Sequence, residues 1–585
     1  MNAECLLRHY ERIADAPDAI ARLRRFILDL AVHGKLVPPD PNDEPASKLL
    51  ERIATEKARL VTAGEIRKAK PLRTVDEDAD FDVPATWLWT RLGIVTSYIQ
   101  RGKSPKYAAS GGSPVVSQRC VQWGGLDLTV AKQITLESLA HYEDIRFLRD
   151  GDLLWNSTGT GTIGRVIRLV DPPEKLVCDS HVTVVRCLEV DPEYIRIWLR
   201  SNHVYALTED RAVGSTNQVE LTAQMAINQV VPLPPLAEQH RIVAKVDELM
   251  VLCDRLEAAR TEREATRDRL AAASLARLNV PDPETFQADT RFALDALPAL
   301  TTRPDQIKQL RQTILNLAVR GKLVPQDPKD EPASELLKKQ FELPNRYLRR
   351  RKIIKEASVD ASDGVLASIP ETWAYARIQN LYDANIVIDY ADGNHGSLYP
   401  RNSEFGEEGV TFVSAKDLVD GRVVWETCSK LNRDRAGQLT KGWAQTGDVL
   451  LTHNATVGRV AKVPEQVEPF LLGTSVTFYR LNEHALHSDY FFVVLQSPVW
   501  QRQLEAIMAQ TTRNQVSIQK QAFFTIPIPP LAEQHRIVAK VGELMALCER
   551  LEASLSRGDG TRRRLLDAFL HEALEPANAA LQAAE

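Results

Sequence analysis

The chain has 585 residues, more than one hydrophobic core usually supports, and 44 % hydrophobic with 26 % charged residues is the composition of a packed globular protein of several domains. A formal net charge of -5 excludes a uniformly basic nucleic-acid binder, so any contact with phosphate must come from local clusters of Lys and Arg. No apolar run is long enough to span a bilayer and the opening MNAECLLRHYERIAD lacks the apolar core of a secretory signal, so a cytoplasmic protein without a membrane partner is expected.

In chain order, Ile20, Leu23, Ile27 and Leu30 recur at steps of three and four and predict a helix with one apolar face, closed by Gly34 before a proline-rich loop. A basic segment, EIRKAKPLR at 65–73, follows; such a run serves either as a solvated face or as a phosphate contact. From about 81 to 232, short β-branched and aromatic runs such as GRVIRLV and HVTVVRCL, bounded by Gly, Asp and Pro, predict a mixed domain rich in strands. Within it, Arg101-Gly102-Lys103-Ser104 is not a phosphate-binding P-loop, because Ser97 stands where the first glycine is required. Arg101 and Lys103 are candidates for DNA contact, with a plain surface turn as the alternative. Asn156, Ser157, Thr158, Gly159, Thr160, Gly161, Thr162, Gly164 and Arg165 form a loop of small polar residues ending in a cation, suited to phosphates or base edges. A glycine-rich hairpin turn is the competing reading. In Ser215-Thr216-Asn217-Gln218, the amides of Asn217 and Gln218 can pair with adenine or serve as a turn before the next strand.

Residues 233–258, LPPLAEQHRIVAKVDELMVLCDRLEA, open a long helix after Pro234-Pro235, with Glu238 in its first turn. Ile242, Val246, Leu249, Cys253 and Leu256 follow an a/d heptad spacing, so an apolar seam for helix pairing or subunit docking is expected. A helix from Leu236 to Leu278 would be roughly 60 Å long at 1.5 Å per residue, enough for a spacer. The pattern then begins again. Ile307, Leu310, Ile314 and Leu317 repeat the first helix, with Gly321 in place of Gly34; a denser basic run, RYLRRRKIIK at 346–355, leads into a second strand-rich region, 366–528. Its candidates are Thr452, His453, Asn454, Thr456, Gly458 and Arg459, and then Arg513, Asn514 and Gln515; Ile537, Val541, Leu544, Cys548 and Leu551 repeat the seam. His240 and His535 share a repeat position and His33 is replaced by Arg320, which fits packing or subunit contact better than catalysis. The seven cysteines, Cys5, Cys120, Cys178, Cys187, Cys253, Cys428 and Cys548, form no CxxC pair and no metal-like spacing with histidine, so reduced, mostly buried thiols and no metal site are expected.

The chain is thus written twice. LPPLAEQHRIVAKVDELMVLCDRLEA returns 295 residues downstream as IPPLAEQHRIVAKVGELMALCERLEA, and the block at 23–50 returns displaced by 287, whereas the middles correspond only in outline: VPATWLW with IPETWAY, GDLLWNSTGTGTIGRV with GDVLLTHNATVGRV. Two variable regions alternating with near-identical helical blocks, each opened by PPLAEQHRIVAKV, resemble the specificity subunits of type I restriction-modification systems over nearly the whole chain. The resemblance implies a mixed α/β, pseudo-twofold protein. Helical regions 1–80, 233–365 and 529–585 would flank target recognition domains at 81–232 and 366–528, each reading half of a bipartite double-stranded DNA site. The long helices would pair as an antiparallel coiled coil that fixes the spacer. Implied partners are two adenine methyltransferase subunits and two restriction translocase-nuclease subunits, which would hold S-adenosylmethionine, ATP and Mg²⁺; the chain itself would hold no cofactor and be non-catalytic.

Two other classes compete. A DNA methyltransferase or nuclease with its own fused recognition domains would need an N-P-P-aromatic loop, and Asp171-Pro172-Pro173-Glu174 lacks the aromatic; the sequence also shows no glycine-rich cofactor loop, Walker motif or nuclease-like metal cluster. A purely structural coiled-coil scaffold would not need two strand-rich regions with different polar loops.

Overall fold

The computed structural model describes residues 15–16, 18–68, 70–75, 81–159, 161–205, 221–280, 282, 284–342, 368–509 and 514–574. The chain forms two compact units, residues 1–263 with 559–585 and residues 264–558.

In unit 1 the helix Ala19–Val32 buries Ile20, Leu23 and Ile27, the predicted face. It ends at Gly34 (φ +68), where Lys35 N–H donates to the Leu30 carbonyl; an added Cβ would stand 2.5 Å from Pro84 Cγ, so both dihedral and space demand glycine. Gly321 repeats this in unit 2 with φ +66 and Pro370 at 2.4 Å. The strand-rich region of unit 1 is closed where it begins and ends by antiparallel pairing of Leu88–Arg91 with Val230–Leu233. Between them lies an antiparallel four-stranded sheet in the order Thr96–Arg101, Val182–Cys187, Leu153–Asn156, Val166–Arg168. A smaller sheet packs beside it, ordered Val177–Cys178, Ser113–Val116, Lys132–Ile134, Tyr107–Ala108. Asp152, fully buried, takes two hydrogen bonds of 2.7 Å from Arg186 on the neighbouring strand, the bidentate geometry that makes a buried pair tolerable.

Unit 2 has the same plan. Ala374–Arg377 pairs with Thr525–Ile528, and the four-stranded sheet runs Val387–Asp392, Val476–Leu481, Val449–Thr452, Val460–Lys462, with Asp448 held by Arg480 as Asp152 is by Arg186. The fold is therefore mixed α/β and internally repeated. Among the described residues no helix is long and apolar enough to cross a membrane. The six cysteines in the described residues are free thiols, four of them buried; Cys5 lies outside the described residues.

Each shared block ends in a helix of 44 residues, Leu236–Asn279 and Leu531–Leu574. Their opening residues explain the repeated motif. Gln239 is buried and its Oε1 accepts the Asp191 N–H; Gln534 accepts the His487 N–H likewise. Arg241 forks onto Asp43, and Arg536 onto Asp330. The heptad spacing does mark a buried face, which in each unit also covers that unit's own core. Ile242, Val246 and Cys253 are buried, and Leu249 and Leu256 packed, against the core of their own unit, which includes Ile20, Ile27 and Trp87; Ile537, Val541, Cys548, Leu544 and Leu551 do the same in unit 2. A helix beginning beside a domain must first cover that domain, and Arg24, bound to Asp254 and Glu257, fastens it further. Unit 1 also contains residues 559–574, whose Leu566 packs on Ala16 and Ala19, and unit 2 contains residues 264–279, whose Leu275 and Leu278 pack with Ala293 and Leu300.

One pair of repeated residues is not equally satisfied. Glu533 accepts hydrogen bonds from Trp373 Nε1 (2.9 Å) and Gln326 Nε2 (2.6 Å), but Pro39 stands where the first repeat would need Gln326. Glu238 is 1 % exposed, and the Trp87 indole N–H beside its carboxylate is too poorly placed for a regular hydrogen bond. Burial pushes both carboxyls above their ordinary value, opposed at Glu533 by the hydrogen bonds from Trp373 and Gln326 and at Glu238 by Trp87 and Arg241. A carboxyl whose pKa is raised on folding favours the native state most below its ordinary value, and that contribution is lost as pH rises through the folded value. Glu238→Gln should therefore raise the melting temperature of unit 1 at pH 7 by about 2 °C, an advantage gone at pH 4, whereas in Glu533→Gln the weakening of the hydrogen bonds accepted from Trp373 and Gln326 offsets the same gain. Calorimetric scans of the two variants across that range check this.

Candidate nucleic-acid interface

The polar loop of unit 1 starts at the end of the strand Leu153–Asn156 and returns at Val166. Its side chains mostly face inward. Asn156 is fully buried and its Nδ2 donates to the carbonyls of Gln118 (3.0 Å) and Thr162 (3.1 Å), while its backbone bonds Arg165 and Gly164 close the loop. Ser157 is also fully buried and shares a hydrogen bond with Thr183. Thr158 reaches His181 Nδ1 at 2.7 Å and Gln118 Oε1 at 3.2 Å, and Thr162 Oγ1 donates to the carbonyls of Thr158 and Gly159. The expectation that these hydroxyls and amides point outward is thus corrected: they bond one another and the backbone, and among them the buried Asn156 Oδ1 alone lacks a partner within the described residues. Thr160 lies outside the described residues.

Arg165 is half-buried and anchored, donating from Nη1 to Gln122 Oε1 (2.9 Å) and from Nη2 to the Gly161 carbonyl (2.8 Å). Beside the loop, Arg101 Nε donates to the Ser180 carbonyl (2.8 Å), and the exposed Lys103 ammonium stands 5.8 Å over the Tyr142 ring. Gly102 between them is required by close approach, since a Cβ there would meet the Cys178 carbonyl oxygen at 2.1 Å. The RGKS segment is therefore neither a P-loop nor a free surface turn. It packs tightly on the turn before Val182–Cys187, with Lys103 left outside.

Unit 2 keeps the frame and changes the contents. Thr452 takes the place of Asn156, its backbone bonding Arg459 and Gly458 and its Oγ1 accepting the Arg459 N–H (2.9 Å). His453 takes the place of Ser157. It is 1 % exposed, its Nδ1 lies 2.9 Å from Thr477 Oγ1, and burial pulls its pKa below the ordinary value, so it too holds the loop rather than facing outward. The loop is two residues shorter than in unit 1, and its exposed members are Ala455, Thr456 and Arg459, with Asn454 half-exposed. Two candidates far apart in sequence meet here: Asn454 bridges Gln515, and Ala455 N–H donates to the Asn514 carbonyl at 2.9 Å. Asn514 and Gln515 are exposed, so loop and amide pair form one surface. A bond common to both units joins Leu221 N–H to the Ser157 carbonyl in unit 1 and Val516 N–H to the His453 carbonyl in unit 2; Asn217, Gln218 and, in unit 2, Arg513 lie outside the described residues.

Sequence reasoning missed what holds the arginines. In each unit a two-stranded hairpin stands beside the loop, Val121–Gln122 with Gly125–Leu126 and Leu418–Val419 with Arg422–Val423. Gln122 anchors Arg165; the Leu418 carbonyl accepts Arg459 Nη1 at 3.2 Å. The first hairpin presents Trp123, 42 % exposed, with the Arg200 guanidinium 5.3 Å over its ring. VQWGGL and LVDGRV, apolar pairs around a glycine turn, are the signal that would have found them. The sheet ends also differ in charge. Asp392 occupies the position of Arg101; burial raises its pKa, but Lys441 and His395, the latter at 2.7 Å, outweigh burial and hold the carboxyl below its usual range. Among the described residues no group of three or more His, Cys, Asp or Glu is placed to hold a metal ion.

These placements separate frame from surface. Asn156→Ala should cost about 1–3 kcal/mol, because it strips two backbone carbonyls of their donor, whereas Thr456→Ala should change stability by under about 0.5 kcal/mol. Denaturant unfolding of both variants checks the contrast.

Residues 399–556 match the family described as the type I restriction modification DNA specificity domain. Over 95 % of this chain and 94 % of theirs, two Escherichia coli proteins, the type I restriction enzyme EcoEI and EcoAI specificity subunits, are 28 % and 27 % identical to it. A solved structure of a type I R-M system chain superposes with a TM-score of 0.50 at 20 % identity, over 85 % of this chain and 99 % of that one, which shows the shared fold. With a repeated α/β frame, a specificity-domain match in its second half and relatives aligned along nearly its whole length, the chain is similar to the type I restriction-modification specificity subunits.

Proposed function

We propose that this chain is the sequence-reading subunit of a type I restriction-modification complex, with each unit engaging one half of a bipartite site in double-stranded DNA. The observation that carries the reading is the contrast within the repeat. Backbone bonds from Asn156 and from Thr452 close the two loops in the same way, yet the loops differ in length and in exposed residues. A frame that repeats while its surface varies suits two readers of unlike sequences. The boundaries that fit this role are recognition domains at 81–232 and 366–528, with helical regions at 1–80, 233–365 and 529–585. The long helices would set the spacing between half-sites and dock two methyltransferase subunits, with two translocase-nuclease subunits joining for restriction. S-adenosylmethionine, ATP and Mg²⁺ belong in this reading to those partners. The chain contributes recognition rather than turnover, and works in the cytoplasm where the DNA is.

The direct test is sequencing for N6-methyladenine in cells carrying the system, before and after residues 81–232 are exchanged for those of a relative. The modified site should be bipartite and the exchange should alter one half only; a site altered in both halves, or an unchanged site, would sink the reading. At residue level, Arg165 and Arg459 should act on separate half-sites. If either contacts a base, its replacement by alanine costs about 1–3 kcal/mol and relaxes choice in its own half-site. Phosphate contact is the expected outcome for both, because each copy keeps the arginine while its neighbours change: affinity should fall evenly across sequences and the salt slope should drop by about 1. Binding of each variant methyltransferase complex to duplexes altered in one half-site at a time, over a range of salt, separates these outcomes.

A further inference from the structure

Unit 1 contains a cavity of 1230 Å³ away from the polar loop. It lies along Thr96–Gln100, in the edge strand of the four-stranded sheet, and is walled by the end of the helix Ala46–Thr62, the basic segment 66–73 and the turn Gln224–Asn228. Lys57, Arg67, Lys68, Lys70, Arg73 and Arg146 line it, and Glu143, 3.7 Å from Arg146, is the one carboxylate in the lining. For a chain with a net charge of -5, this is a concentrated positive field.

The basic segment is fixed in place. Buried Arg91 donates from Nε to the Arg73 carbonyl (2.9 Å), from Nη2 to the Thr74 carbonyl (2.7 Å) and from Nη1 to the Asn228 carbonyl (2.7 Å), tying three backbone stretches together beneath the groove. Lys57 Nζ donates to the Gly93 carbonyl at 2.6 Å, and burial pulls its pKa down to about 8, the mark of a cation in a partly desolvated place. Arg67, Lys68, Lys70 and Arg73 remain exposed. The groove is also joined to the loop end of the same strand, because Arg146 donates to Gln100 Oε1 (3.0 Å) and to the Arg101 carbonyl (3.3 Å).

We propose that this groove is a second, sequence-independent contact for the sugar-phosphate backbone of duplex DNA, continuing the interface at Arg101 and Lys103 along the sheet edge. The inference rests on the DNA-reading role proposed above. A phosphate backbone is favoured over an acidic protein segment because the cations stand around an open groove that follows the strand Thr96–Arg101, which itself ends at the candidate reading surface. A row of exposed Lys and Arg supplies charge without side-chain selectivity, which is what backbone contact requires.

The test uses the full chain assembled with its methyltransferase subunits, carrying Arg67→Ala, Lys68→Ala, Lys70→Ala and Arg73→Ala together, with Lys68→Gln/Lys70→Gln as a milder variant should the quadruple one fold poorly. Binding is measured on a duplex bearing the methylated site and on a scrambled duplex. On both duplexes the quadruple variant should bind at least about tenfold more weakly near 0.1 M salt, with a salt slope shallower by about 2–4; the double variant should show about half that change in slope, and Lys68→Arg/Lys70→Arg should bind like the parent. Unchanged slope and affinity would overturn the proposal. So would loss of methyltransferase subunits with DNA binding intact, which would assign the groove to protein docking, and so would weakening confined to the specific site. A parent complex that shows no preference for any site would instead sink the reading role, while the slope comparison on the scrambled duplex still judges the groove.

Discussion

Each 44-residue helix has its first turns held rigidly on the domain it leaves, and most of the architecture follows from that joint. In both units the hold is a buried polar joint, not an apolar patch alone. A glutamine is sunk into the domain and bonded to backbone, an arginine forks onto an aspartate of the preceding loop, and a glutamate is buried beside a tryptophan. Hydrogen bonds of fixed direction allow one orientation of helix on domain, where apolar contact alone tolerates several. This explains why LAEQHR is identical in both copies while the middles have diverged: its residues are matched to backbone atoms and a paired carboxylate, so few substitutions keep the joint.

The same division recurs within each recognition region. The frame consists of residues whose polar groups are spent inwardly, such as Asn156, Ser157, Thr452 and His453, and of the buried carboxylate pairs Asp152–Arg186 and Asp448–Arg480. The surface consists of what the frame leaves outside: Lys103 and Arg165 in one unit, Thr456, Arg459, Asn514 and Gln515 in the other. The small hairpins stand between these classes. Each tethers an arginine by one hydrogen bond, which aims the cation and lowers the entropy it would lose on meeting a ligand.

Much of the fold was legible because periodicity and repetition are local signals. The 3.6-residue spacing of Ile20, Leu23 and Ile27, the glycine at 34 and the heptad face from Ile242 to Leu256 all correspond to buried or conformationally constrained positions. What covers that heptad face was not legible, since the partner of an apolar seam is set by tertiary proximity. The polar loops were misread for a related reason. A run of Asn, Ser, Thr and Gly looks the same in sequence whether it bonds a ligand or its own backbone, and the deciding partner of Asn156 is the carbonyl of Gln118, 38 residues away. The meeting of Asn454 with Gln515 was equally hidden, because it depends on how a strand and a later loop return to one end of a sheet.

The order in which the chain is made gives one feature of the units a further meaning. Unit 1 begins at the N terminus but is completed by residues 559–574, which supply Leu566 to Ala16 and Ala19 and place Asp567 against Arg22. Those residues are made after all of unit 2. Until then the apolar face around Ala16 and Ala19 lacks its native cover, so the N-terminal unit reaches its final form only when the whole chain exists. A product terminated early would retain both recognition regions yet carry an uncovered patch, and that exposed surface marks it for aggregation or removal before an incomplete reader is put to use.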